Sequence, residues 1–199
     1  MTLPRSDSSW INGAVDDAVV TIGNPRLKAP TAAIDAADAA ELLKILVTRL
    51  RELNGAGLAA PQIGVSVRAA IVEVRKTDVF PDRPETGLIQ LLNPVILERS
   101  DETTSDWEGC FSVPGYLGLV PRAESITVRY TTETGETVTR EFEGYTARVV
   151  QHEIDHLDGL VYLDRMPDMT SLTTAQNYLD NHRPASVPGP GAGVRHALR

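Results

Sequence analysis

The chain has one cysteine, Cys110, in 199 residues, so no internal disulfide can form. Sparse thiols point to a reducing compartment, and a cytoplasmic address is the expectation. The opening residues Met1 to Trp10 carry none of the apolar stretch that a secretory signal needs. Nor does any run approach the roughly eighteen apolar residues that would span a bilayer, so no membrane partner is expected. Basic residues are in deficit, 19 against 27 acidic ones, for a formal net charge of −8. That excludes a globally basic nucleic-acid binder and leaves DNA out of the expected partners. Histidine is rare as well, with four copies, so any constellation built from Cys and His can be searched in full. What remains, 42% hydrophobic and 23% charged, is the composition of an ordinary globular protein with one sizeable core.

The organisation read from the chain is a flexible polar arm over 1–15, one domain over 16–182, and a disordered basic tail over 183–199. The tail holds three prolines, three glycines and three arginines with no acid. Gly23-Asn-Pro25 reads as a turn. Asp35 and Asp38 suit an N-cap and first turn, and Leu42, Leu46, Leu50 and Leu53 follow on one helical face until Gly55 and Gly57 end it. Residues 68–74 and 88–92 read as short apolar strands, with a surface loop over 77–87 between them. Residues 125–130 and 136–143 alternate on either side of a turn at Glu133-Thr-Gly135, which predicts an antiparallel hairpin. Tyr145 to His156 is helical with Gly159 placed to stop it, and a last short helix is expected within 171–181.

The strongest chemical signal is Gln151-His-Glu-Ile-Asp-His156. Residues four apart share a helix face, so His152 and His156 can hold one metal ion while Glu153 takes a proton from an activated water. With four histidines in the chain, a chance HExxH is rarer than roughly one such chain in a hundred. A third ligand is still needed. The pattern HExxHxxGxxH fails, because Tyr162 stands at its last position, and no glutamate follows Glu153. Asp158, Asp164, Asp168 and Asp180 are options, and His182 and His196 lie at or in the tail. Elimination favours Cys110, whose neighbours Glu108, Gly109 and Ser112 make a poor context for a core residue. A Cys, His, His set suits zinc or ferrous iron and leaves a fourth position open, as a catalytic site requires. The segment 55–64, GAGLAAPQIG, is either a plain glycine-rich turn or a place where backbone approaches a ligand, with Gln62 as an amide donor. It lacks the Gly-Lys-Ser/Thr of a phosphate loop.

Taken together, GAGLAAPQIG at 55–64, EGCFS at 108–112 and QHEIDH at 151–156 resemble, in order, the three signature motifs of the peptide deformylase family. That family removes the formyl group from the initiator methionine of bacterial and organellar nascent chains. The resemblance runs from about Gly23 to Met166. It implies an α+β fold: antiparallel β-sheets packed around a central C-terminal helix carrying HExxH, plus an N-terminal helix. It implies Cys110, His152 and His156 as metal ligands, Glu153 as acid/base, and Gln62 with the Phe111 backbone N–H as donors to the reacting oxygen. Ala56, Gly57, Leu58, Glu108 and Gly109 would flank the substrate, and Val149 would line its methionine pocket or simply pack in the core. One departure is Phe111, where the family usually has leucine. The metal implied is Fe2+, with Zn2+, Ni2+ or Co2+ as substitutes, and the substrates are N-formylmethionyl nascent polypeptides. Alternatives are a zinc endopeptidase using the same helix and a deformylase-like paralogue of altered specificity. The arginines of the tail suggest a ribosomal contact, against the plainer reading of a solvated terminus.

Overall fold

The computed structural model describes residues 19–76 and 83–182. The arm over 1–15, the tail over 183–199 and residues 77–82 of the predicted loop lie outside the described residues. Eight strands and three α-helices are present among the described residues: α1 (Ala36–Leu53), β1 (Gly57–Ala59), β2 (Ala69–Val72), β3 (Ile89–Arg99), β4 (Thr103–Cys110), β5 (Val113–Ala123), β6 (Ser125–Thr131), β7 (Thr137–Glu143), α2 (Gly144–Leu157), β8 (Thr173–Thr174) and α3 (Ala175–Asn181). They form a five-stranded sheet in the order β1-β2-β3-β6-β7 and a three-stranded sheet β4-β5-β8. Every ladder in both sheets is antiparallel. This is the expected α+β arrangement. No helix among the described residues is long and apolar enough to cross a membrane.

The unbroken apolar run of β2 follows from where it sits. Successive side chains on a strand point to opposite faces. Ile71 packs with Leu43, Leu46 and Leu50 of α1, while Val72 joins Leu91, Ile126 and Val128 against Val150 and Ile154 of α2. A strand covered on both faces has no polar side to display, so it shows no alternation. The β6–β7 hairpin, half exposed, does alternate, with Tyr130 paired to Val138. Its turn places Gly135 at φ 87°.

The structure departs from the sequence reading at several places. On α1 the buried residues of the first turns are Ala39 and Leu43, with Leu42 only half-buried. Asn54, not Gly55, ends that helix in the left-handed region at φ 56°, and Gly57 already belongs to β1. The strand begun at residue 89 runs on to Arg99, past a shift in register beside Asn93, whose amide bonds both the N–H and C=O of Ile34. The β4–β5 hairpin was not anticipated. The first half of β4 is exposed and polar, and β5 contains Pro114, Gly115, Gly118 and Pro121, residues that ordinarily argue against a strand. They are tolerated because β8 pairs only with Tyr116 and Leu117, so Pro121 has a ladder partner on one side alone.

Leu46 is fully buried between α1 and the sheet. Truncation of Leu46 to alanine is expected to cost about 2–5 kcal/mol of stability. Denaturant unfolding of the purified protein measures it; a loss below about 1 kcal/mol would contradict this packing of α1.

Candidate metal centre and its surroundings

Two elements far apart in sequence supply the candidate ligands. His152 and His156 are four apart on α2, and Cys110 ends β4 immediately before the two-residue turn Phe111-Ser112, which Cys110 and Val113 close as a ladder pair. The ligand atoms of the three side chains lie within 4.8 Å of one another, and no other such group occurs among the described residues. Cys110 Sγ is 3.3 Å from His156 Nε2. Around a tetrahedral ion with ligand bonds of about 2.0–2.3 Å, neighbouring ligand atoms stand about 3.3–3.8 Å apart, so the cluster is close to the required spacing. The donor set fits one divalent ion.

Beneath the cluster lies a network of buried charges. The Glu108 carboxylate receives Arg122 through both oxygens at 2.9 and 3.0 Å, Arg148 at 2.8 Å and His152 Nδ1 at 2.8 Å. Burial alone would raise the Glu108 carboxyl, but the hydrogen bonds from His152 and Arg122 outweigh it and hold the group well below the usual range. An ionised carboxylate only accepts, so His152 Nδ1 carries the proton and its Nε2 lone pair is free for a metal. Arg122 also reaches Asp155 at 2.5 Å, and Arg165 adds a bond to the same carboxylate at 2.7 Å. Arg148 is completed by the carbonyls of Val120 and Thr104. The ring of Tyr162 lies 6.5 Å from that of His152 and nearly parallel to it. The residue standing where the extended motif would have its third histidine thus stacks on His152 instead of joining the cluster.

Glu153 lies next to His152 on α2, 3% exposed, with its Oε2 lacking any hydrogen-bond partner. Burial pushes its carboxyl up to about 7. Gly57 explains how the carboxyl fits: a Cβ there would collide with Glu153 Oε1 and stand 2.8 Å from its carboxyl carbon. Gln62 is held by its Oε1, which accepts from Ala59 N–H at 2.9 Å. Its Nε2 is thereby turned to Ser112 Oγ at 3.3 Å and Cys110 Sγ at 3.5 Å. The first motif, read as either a turn or a ligand approach, therefore packs directly on the ligand cluster.

Other predicted residues are placed differently. Glu108 was expected along the substrate, but its side chain is taken up by the charge network. Val149 and the half-buried Ala56 belong to the apolar core between the sheet and α2, and Leu58 is fully buried toward α1. The four optional aspartates are engaged elsewhere: Asp158 with Arg68, Asp164 with Lys28, Asp168 with Thr170 and Asp180 with Gln176. His182 packs on Trp107, and His196 lies outside the described residues. Sequence reasoning missed Ser112, Arg122, Arg148 and Asp155 as supporting residues. Arg148, set among Ala147, Val149 and Val150, was the one available signal: a cation on a face that otherwise reads as core.

A sequence profile described as polypeptide deformylase matches residues 17–171. Peptide deformylase 1 of Bordetella pertussis is 42% identical over 156 residues, covering 77% of this chain and 89% of that protein. Peptide deformylase 2 of a Nostoc species is 36% identical over 163 residues, covering 80% of this chain and 91% of its own length. Among solved structures, the Met-Ala-Ser-bound class I type b peptide deformylase of Acinetobacter baumannii superposes with a TM-score of 0.72 at 40% identity, over 74% of this chain and 96% of that one. The Thermotoga maritima peptide deformylase gives 0.68 at 33% identity, over 75% and 97%.

If Glu108 fixes His152, Glu108→Gln should weaken metal binding by roughly 10–100-fold. Competition against a chelator of known affinity reads this directly, and an unchanged affinity would contradict the orienting role.

Proposed function

The chain belongs to the polypeptide deformylase family, and from that premise we propose that it hydrolyses the formyl group from the N-terminal formylmethionine of newly made polypeptides, releasing formate. One observation carries the reading: a Cys110, His152, His156 cluster with the unpartnered Glu153 carboxyl beside it. A structural metal site would need no such group. The endopeptidase alternative loses its ground, because the third ligand is an upstream cysteine and no downstream ligand approaches the cluster among the described residues.

Cys110, His152 and His156 hold one ion. A divalent cation bound there would supply Lewis acidity to the formyl carbonyl and to the attacking water. Glu153, whose buried carboxyl is poised near neutrality, accepts the proton of that water and delivers it to the departing amine. As the carbonyl carbon becomes tetrahedral, charge develops on its oxygen, and two donors face it. One is Gln62 Nε2, preset by the Ala59 N–H. The other is the Phe111 N–H, which as the first position of the two-residue turn stays outside the ladder closed by Cys110 and Val113. The C–N bond breaks, and formate and a free N-terminal methionine result. Gly57, against the Glu153 carboxyl, and Gly109, next to Cys110, are assigned to the walls of the substrate cleft, while Ala56, Leu58 and Val149 pack in the apolar core.

The physiological ion is ferrous iron in this proposal, as membership of the family implies; the thiolate and imidazole set itself accepts iron or zinc. Zinc, nickel or cobalt would substitute. Iron beside a thiolate leaves the site open to oxidation, so aerobic preparations should lose activity faster than anaerobic ones. Nascent chains place the reaction in the cytoplasm. A ribosomal contact through the arginines of 183–199 is a further proposal; binding to ribosomes that persists after their deletion would end it.

The test is to purify the protein without oxygen and assay formyl-Met-Ala-Ser, acetyl-Met-Ala-Ser and a blocked internal peptide by release of free amine. Only the formyl peptide should react, and turnover of the internal peptide instead would overturn the proposal. Gln62→Ala should lower turnover roughly 100–1000-fold while retaining metal. Equal loss of metal and activity would make Gln62 a structural residue. Glu153→Ala should keep the metal and lose nearly all activity, and an active variant would remove Glu153 from the proton path.

A further inference from the structure

We infer that the Phe111 side chain, seated against Gly55, is a positioning residue that sets the spacing of the two oxyanion donors; the inference rests on the deformylase reading above. Gly55 is not among the glycines with positive φ, so backbone conformation does not demand glycine there. Space does. A Cβ on Gly55 would stand 2.5 Å from Phe111 Cε2, 2.7 Å from its Cζ and 2.9 Å from Leu50 Cδ1, closer than van der Waals contact allows. Phe111 is itself 8% exposed and packs in the apolar cluster with Leu46, Leu50 and Leu58.

The contact clamps one end of two segments that carry the donors. At the other end Gln62 Nε2 meets Ser112 Oγ at 3.3 Å. Segment 55–62 therefore touches turn 110–112 at two points, Gly55 on Phe111 and Gln62 on Ser112. One donor rides on each segment: the Gln62 amide on the first, the Phe111 N–H on the second. Leucine, the residue usual at this position, has no Cε or Cζ atoms, and those are the two that lie nearest Gly55. The tightest part of the fit is thus a property of this pair, with Leu50 closing the rest of the space. A methyl group added at Gly55 must displace the ring, and the turn moves with it.

Gly55→Ala, the double variant Gly55→Ala with Phe111→Leu, and Phe111→Ala are compared with wild type for kcat, KM, metal stoichiometry and affinity for the product Met-Ala-Ser. Gly55→Ala should lower kcat roughly 100-fold, because a misplacement of about an ångström costs that much in an oriented site. Metal content should be unchanged, with KM and product affinity within about twofold, since a lost transition-state contact leaves ground-state binding alone. The double variant should run about tenfold faster than Gly55→Ala alone, the coupling expected of two side chains in contact. Phe111→Ala keeps the N–H, introduces no clash, and should still lose kcat by about tenfold. Wild-type kcat in Gly55→Ala or in Phe111→Ala, a loss that falls wholly on KM, or a double variant slower than Gly55→Ala would overturn the inference while an active wild type leaves the deformylase reading standing. A wild type that releases no amine from formyl-Met-Ala-Ser would overturn that reading and this inference with it.

Discussion

The carboxylate of Glu108 is the constraint on which the metal centre depends. Buried with a relative exposure of 6%, it is the common acceptor for Arg122 on β5, and for Arg148 and His152 on α2, while its own strand ends two residues later in Cys110. A carboxylate removed from water is costly unless its lone pairs are filled, and here three donors fill them. The positions of those donors fix how α2 lies against the β4–β5 hairpin. That docking in turn brings Cys110 to the two histidines. Asp155, on the same helix, neutralises the far side of Arg122 and draws in Arg165. Replacing one member would leave the others charged and buried, so the network behaves as a unit.

Above this ionic base the site is tuned by close packing. Gly57 lets backbone approach Glu153 closely enough to strip it of water, which is the physical reason its carboxyl titrates high. Gln62 gives its oxygen to Ala59 N–H, and that single bond decides which end of the amide faces the cluster. Glu108 and Glu153 have opposite environments, one saturated with donors and the other with an Oε2 that has no partner. Two carboxyls of the same chemistry thereby differ in what they can do: one is fixed as an anion, and the other is suited to the proton transfer proposed for it.

Much of this was legible in the sequence, and the part that was not has physical causes. HExxH depends only on helical spacing, so His152, Glu153 and His156 could be read locally. Cys110 was reached because cysteine and histidine are so scarce that few candidates remained. The α2 and β6–β7 assignments followed from periodicity. The β4–β5 hairpin stayed hidden because its prolines and glycines carry local signals against a strand, which its nearly one-sided pairing overrides. The charge network of Glu108 stayed hidden for a related reason: its partners Arg122 and Arg148 lie 14 and 40 residues away, and nothing local to the motif shows that its carboxylate is saturated. Likewise Gly55 and Gly57 look alike in sequence, yet one makes room for a phenyl ring and the other for a carboxyl group.

The proposed chemistry depends above all on Cys110, His152 and His156 together holding a single ion. X-ray absorption spectroscopy of anaerobically purified protein, with metal quantified by mass spectrometry, tests it most directly. The prediction is one metal per chain with one sulfur and two imidazole nitrogens in its coordination shell, and loss of the ion in Cys110→Ala. A metal bound with no sulfur neighbour, or full occupancy in Cys110→Ala, would contradict it.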